Sequence, residues 1–559
     1  MQVTSVPALA FARHSRLLRW SLLALATLAP RLALLAHYNV ELSEDGYSAV
    51  STLRVIQEQG LAAVPLDLID RFLLHPLYML LLSALRILTP SSADFFLAAR
   101  LVSVISACAV AILIFELSRR AFDELAAWLA VLLLMFVPTA LYEGISILSS
   151  TLFLALYVAV LLALLKGRYR LAALLAFLAA ITRYEGAVLV ALVCLLLLHR
   201  DLKQRRLHQR DWLVTLALAG AFPLTLILVG VLTSGNPLGA IAANSMAAVW
   251  LRTLAPAEFS RRALFFLTGY PRLLPDLLVW IALAGALIVV IWHRQRATGM
   301  LLLASALYVV FYETLVWFDL TTLEERFLIY SALPFLIFGA AGLADAWRFL
   351  ARAAPPTARC MPTAARSLGP KSLAESARPS ANPARPMPGQ ERSPRRRLPT
   401  SWARSALAGL ALVTVLAVIL VQCYRRADAG MQWLYNNHAS QSEVVDHLLR
   451  FILPDQPTRI TIYAGFAGPL DFFARRRHLD LVFNFFRFIP PDHPEQYLLD
   501  LGVQYVLYPV DNPFAKAKYP YLDHLEQQTH GPVTFVPLAQ FTTTLNGQLY
   551  TLWSVSRSP

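Results

Sequence analysis

Apolar runs long enough to cross a bilayer recur from residue 17 to residue 422, and the segments between them are sorted by charge. One helical crossing needs about 20 predominantly apolar residues. Runs at 17–37, 94–118, 124–141, 146–165, 211–233, 273–292, 299–318, 327–345 and 403–422 approach or exceed that length, and 170–199 holds two shorter ones. No single soluble core could absorb them. The composition agrees: 57% of residues are hydrophobic and 15% charged, whereas a soluble domain carries about 25% charged residues. The first run holds Pro30 and Arg31 in its middle and many others follow it, so it is read as a retained helix rather than a cleaved leader.

Charge then orients the runs, because Lys and Arg mark the cytoplasmic side of a membrane protein. "KGRYR" (166–170), "HRDLKQRRLHQR" (199–210) and "HRQR" (293–296) are basic, and Arg13, Arg16 and Arg19 make the N-terminus so. The tract from Arg348 to Arg397 holds 11 Lys/Arg against 2 acidic residues. It is rich in Pro, Ala and Ser without hydrophobic periodicity, which predicts a disordered cytoplasmic linker over 346–402. The net charge of +14 is therefore placed on cytoplasmic loops, and no nucleic-acid partner is expected.

With these segments cytoplasmic, 170–199 must go out and back, turning at "TRYEG". The run 94–118 then starts outside, where 17–37 has already brought the chain. "HPLYMLLLSALRIL" (75–88) cannot cross. It is expected to lie in the interface with a second helix at 46–59, inside one external segment 38–93. The expected fold is an all-α polytopic bundle of about eleven spans in the inner (cytoplasmic) membrane, N-terminus cytoplasmic, with the membrane domain at 1–345 and a last span at 403–422. Residues 424–559 are more evenly charged. "RITIYAG", "LDLVFNFF", "VQYVLYPV", "VTFVPLA" and "LYTLWSV" predict strands and "HPEQYLLDLG" a short helix, so a small external α/β domain closes the chain.

Ionisable residues at membrane depth are costly and are functional candidates by default. Glu44 and Asp45 follow the first span, Glu143 sits in "YEG", Arg183 and Glu185 sit in "TRYEG", and Glu324, Glu325 and Arg326 precede the span at 327. The topology puts all of them on one external rim. Each also has a plainer reading. Glu44 and Asp45 would complement a helix dipole, Glu143 and Glu185 would be turn residues, and Arg326 would reach to the interface. Their shared side favours a polar cavity. Arginine binds phosphate bidentately, and an ionised carboxylate can take a proton from an attacking hydroxyl.

"EDGYSAV", "HPLYMLLLSALRIL", "DFFLAARLVSVISACAVAILIFELSRRAF", "LYEGISILSSTLFLALYVAVLLAL", "ITRYEGAVLV" and "ERFLIYSALPFLIFGAAGL" occur in this order over most of 17–345. In order and spacing they resemble the GT-C superfamily of integral-membrane glycosyltransferases, in the bacterial branch related to protein O-mannosyltransferases and the lipid A aminoarabinose transferase. The resemblance implies a sugar donor on a polyprenyl phosphate and a lipid, glycan or protein acceptor. It implies a catalytic base at Asp45, with Glu44 next, and substrate-binding roles for His75, Glu143, Arg183 and Arg326; the rim adds Glu185 and Glu325 to the substrate-binding candidates. The chain departs from the pattern at Glu44-Asp45, whose order is reversed, at Tyr184 and at Leu77, where prolines are usual. Neither acidic loop carries Asp-x-Asp, so no cofactor and no divalent metal are expected.

Two other classes compete. A transporter or flippase of lipid-linked or polyanionic substrates would show inverted repeats and broken helices at mid-depth, and no second half matches the first. A structural component with a partner-binding external domain has no need of a carboxylate–arginine rim.

Overall fold

The structure is a computed structural model, and it describes residues 6–43, 45–47, 49–50, 53, 56, 75–89, 92–234, 237, 269–292, 296–318, 325–352, 400–452, 458–462, 469–470, 473–474, 477, 481–485, 494–500, 502–512, 515–516 and 519–558. Glu44, most of the helix expected at 46–59, and 353–399 of the expected linker lie outside the described residues.

Helix α1 (Val6–His37) carries the first apolar run. Helix α2 (Pro76–Leu88) has 13 residues, about 20 Å at 1.5 Å per residue. There follow α3 (Ser92–Ala121), α4 (Glu124–Met135), α5 (Pro138–Glu143), α6 (Ser149–Leu165), α7 (Tyr169–Thr182), α8 (Ala187–Gln204) and α9 (Gln209–Ser234). Then come α10 (Tyr270–Leu273), α11 (Asp276–Trp292), α12 (Arg296–Trp317), α13 (Leu328–Arg352) and α14 (Thr400–Leu448). Six of the described helices are long and apolar enough to cross a membrane. The remaining expected crossings fall on α4, α6, α7, α8 and α11, which are shorter.

The lipid-facing side is legible in exposure. In α13, 83% of the apolar window is buried, whereas in α9 the share is 11%, with Leu213, Leu224 and Leu232 standing clear of the bundle. A face like that suits hydrocarbon, where helices associate by close packing rather than by expelling water. The chain is a multi-pass membrane protein.

Arg31, in the middle of the first apolar run, has a structural explanation. The apolar run at 124–141 breaks between Met135 and Pro138, because proline offers no N–H to continue the helix. The break leaves carbonyls without helical donors. Arg31 donates to Met135 O at 3.2 Å, Ala140 O at 3.1 Å and Thr27 O at 3.1 Å. Gly144 leaves the space: a Cβ there would lie 2.5 Å from Arg31 Nε.

Helix α14 runs for 49 residues, about 74 Å, more than twice the thickness of the hydrocarbon layer. The sequence places a span at 403–422 and a separate domain from 424; one unbroken helix joins them. Its last turns enter the core of the C-terminal domain through Val444, Val445 and Leu448. That domain is a six-stranded sheet in the order β2-β1-β3-β6-β5-β4, formed by β1 (Thr458–Ile462), β2 (Leu481–Phe485), β3 (Tyr505–Pro509), β4 (Gln528–His530), β5 (Val533–Thr542) and β6 (Leu549–Arg557). Strand β1 runs parallel to β2 and β3, and the other pairings are antiparallel. Five strands coincide with the predicted ones, and "HPEQYLLDLG" forms α15 (Pro494–Asp500). Strand β4 is three residues of polar sequence with no apolar alternation to announce it.

Candidate functional site

At one end of the bundle the chain leaves α1 and runs irregularly from Tyr38 to Ser43. This loop is held from inside by Glu41, which is 2% exposed. Its carboxylate accepts from the amides of Ser43 and Ile147, each at 3.0 Å, and lies 3.6 Å from Arg100 Nε. Arg100 in turn donates to Ile145 O at 2.8 Å and Tyr38 O at 2.9 Å. Burial pushes the Glu41 carboxyl up to about 7, against the opposing pull of Arg100 and of the amides.

Asp45 follows, in a helical turn that places its carboxylate 2.8 Å from Arg326 Nη1. Arg326 belongs to the 3-10 turn Glu325–Phe327 that opens α13. Both side chains keep about a fifth of their surface exposed, 20% for Asp45 and 23% for Arg326. The backbone of Glu325 lies in the same turn; its side chain and Glu44 are outside the described residues.

A second pair is sealed. Arg183 Nη2 sits 2.6 Å from Glu185 Oε1, and its Nε lies 3.2 Å from both carboxylate oxygens. Arg183 Nη1 reaches Ser149 Oγ and Ser150 Oγ at 3.3 Å, and Tyr312 OH donates to Glu185 at 3.1 Å. Arg183 is 4% exposed and Glu185 fully buried. The glycine of "TRYEG" makes the turn tight enough: a Cβ on Gly186 would lie 2.2 Å from Ala180 N. His75 Nδ1 lies 3.1 Å from Thr182 O and 3.3 Å from Ser149 Oγ, which ties the start of α2 to this cluster.

The two pairs share an aromatic partner. The guanidiniums of Arg326 and Arg183 lie over the Phe327 ring at 5.3 and 5.5 Å, and Tyr312 stacks on the same ring at 5.3 Å. Cations over an aromatic face are attracted by its quadrupole, more strongly when desolvated. Glu143 is buried at the end of α5, where its carbonyl accepts from Thr151. Asp45, His75, Glu143, Arg183, Glu185 and Arg326 therefore gather at one end of the bundle.

No family model matches the sequence, and no characterised protein matches it in sequence. Solved structures match in shape. ArnT from Cupriavidus metallidurans bound to undecaprenyl phosphate aligns with a TM-score of 0.51 at 14% identity, over 98% of each chain. The oligosaccharyltransferase AglB from Archaeoglobus fulgidus, in complex with an inhibitory peptide and a dolichol-phosphate, aligns with a TM-score of 0.52 at 13% identity, over 90% of this chain and 70% of its own. The chain shares the fold of these two proteins. Among the described candidates, the cluster around Asp45 and Arg326 is where an accessible carboxylate and an accessible guanidinium meet.

Several participants carried no signal of their own. Phe327 and Tyr312 are aromatic residues in apolar runs, and Ser149 and Ser150 look like ordinary small helix residues. Glu41 stood in view beside Glu44 and Asp45, but nothing in the sequence tells that it turns inward.

Proposed function

We propose that the chain is a membrane glycosyltransferase that moves a sugar from a polyprenyl-phosphate carrier to an acceptor hydroxyl at the extracytoplasmic face. The Asp45–Arg326 pair carries this reading, supported by a fold shared with two proteins bound to polyprenyl phosphates. A phosphate entering the site has Arg326 to bind and draws its guanidinium off Asp45. The Asp45 carboxylate takes the proton of the acceptor hydroxyl. The oxygen attacks the anomeric carbon, the bond from that carbon to the phosphate oxygen breaks, and the electron pair leaves with the polyprenyl phosphate. Arg326 stabilises the charge on the departing phosphate. One direct displacement inverts the anomeric centre.

In this scheme Arg183 and Glu185 support the floor of the site, since a phosphate would have to displace Glu185 to reach Arg183. His75, Glu143 and Glu325 are proposed to line the donor's path, and Glu44 is the second choice for the base. No cofactor is invoked, and transfer is expected to persist in a metal chelator, because neither acidic loop carries Asp-x-Asp. In this reading the protein sits in the inner membrane, in contact with membrane lipids, with the C-terminal domain outside.

The experiment is mass spectrometry of envelope lipids, glycans and proteins from cells with and without the gene. Loss of one hexose or pentose identifies sugar and acceptor together. An unchanged profile, with no transfer by the purified protein, removes the reading.

A further inference from the structure

The C-terminal domain grips the loop that carries Asp45. Below the domain, α14 lays a stripe along that loop. Ala427 and Met431 are buried against Leu34, Leu35, Tyr38, Leu42, Leu141 and Ile145. Asp428 accepts from Tyr38 OH at 2.8 Å. Three turns beyond Ala427 comes His438, which is 3% exposed. Its Nδ1 lies 2.9 Å from Glu41 O, and its ring meets Tyr47 edge-on with centroids 5.7 Å apart. A turn later Gln441 donates to Tyr550 OH on β6, and Val444 joins the domain core, against which Val40 of the loop also packs.

His438 thus touches the chain at Glu41 and at Tyr47, on either side of Asp45. A carbonyl acceptor at Nδ1 fixes the tautomer with the proton on that nitrogen. The side chain of Glu41 holds the same residue from inside, so the loop is held on two sides. We propose that His438 is a positioning residue, through which α14 and the C-terminal domain set the aim of Asp45 at Arg326.

The role of Asp45 rests on the glycosyltransferase reading; the clamp itself does not. The test uses the full-length protein in lipid nanodiscs, with His438→Ala, His438→Asn and, as control, Trp433→Ala on the exposed face of α14. Asn places an N–H where Nδ1 stood. Hydrogen exchange over residues 38–47 reports the clamp, and transfer kinetics with donor binding report its consequence. His438→Ala is expected to speed exchange in 38–47 and to lower kcat by about 10- to 100-fold with donor affinity unchanged, since small misplacements of a reacting group cost that much. His438→Asn should recover most of both, and Trp433→Ala should match wild type. Should His438→Ala fail to fold, His438→Phe, which keeps the bulk and drops the donor, takes its place. Unchanged exchange in the folded variant overturns the proposal, as does faster exchange with undiminished kcat. If wild type transfers no sugar, exchange alone decides the clamp, and the glycosyltransferase reading fails separately.

Discussion

Asp45 and Arg326 are 281 residues apart in the sequence, and their side chains meet at 2.8 Å at the end of a membrane bundle. The pair is neither a surface ion pair nor a sealed one. Arg183 and Glu185, close by, show the contrast: their charges are satisfied within the protein and closed to solvent. A reacting pair must be reachable and separable, and a supporting pair must not.

The first prediction concerns Asp45. Asp45→Asn keeps the size and most of the hydrogen bonding of the carboxylate but cannot accept a proton. Purified variant should bind polyprenyl-phosphate sugar normally and turn over about 10²–10⁴-fold more slowly. Transfer and binding measured on the same preparation check this. Near-normal turnover would end the case for Asp45, and a dead Glu44→Gln beside it would move the role to Glu44.

The two arginines should fail differently. Arg326→Ala is expected to fold and to lose donor affinity strongly, with Lys restoring only part, because a point charge does not replace a planar fork. Arg183→Ala leaves Glu185 buried without its partner, which costs about 3–5 kcal/mol of stability. Thermal unfolding in detergent and donor binding separate the two. If Arg183→Ala is as stable as wild type and only donor binding suffers, Arg183 belongs in the phosphate site.

How far was this arrangement legible in the sequence? Apolar length sufficed for a multi-pass helical bundle, and the shared rim brought Asp45, Arg183 and Arg326 to one end. Those are properties of chain segments, and a sequence displays them. Which partner a side chain takes is a property of packing. Nothing in "TRYEG" says that Arg183 folds back on Glu185 two residues later. Nothing in "NNHASQ" says that His438 lies under the loop after the first span. The apolar run ends near Cys423 and two arginines follow, so the span stops there; the helix continues because Ala427, Met431 and Leu434 find an apolar neighbour in the loop and α1.

Glu41 gives the protein a pH dependence. Its carboxyl is raised from 4.5 to about 7 by burial, so the folded protein holds a proton there that the unfolded chain has lost. Stability from this group is full below the unfolded value and is lost as pH rises through the folded one. The melting temperature in detergent should therefore fall between about pH 5 and about pH 7.5, by an amount on the order of 3 kcal/mol in free energy, and then level off. Glu41→Gln should remove that slope. A wild-type curve that is flat or rising over this window would contradict the burial of an ionisable Glu41.

The last prediction fixes the sides of the membrane. The C-terminal domain touches the loop bearing Asp45, so the domain and the site share one side. Helix α8 runs from Ala187, beside the Arg183–Glu185 turn, to Gln204 in the basic segment, about 27 Å for its 18 residues, which is close to the hydrocarbon thickness. Gln204 therefore lies at the opposite end. Positive loops stay in the cytoplasm, so the site is predicted to face out. In a cysteine-free background, Thr544→Cys and Gln204→Cys offer exposed thiols at the two ends. A membrane-impermeant maleimide applied to intact spheroplasts should label Thr544→Cys at once and Gln204→Cys only after permeabilisation. The reverse pattern would turn the bundle over and bring the donor to the site from the cytoplasm. Labelling of both in intact spheroplasts would mean that the chain does not separate these ends by a bilayer.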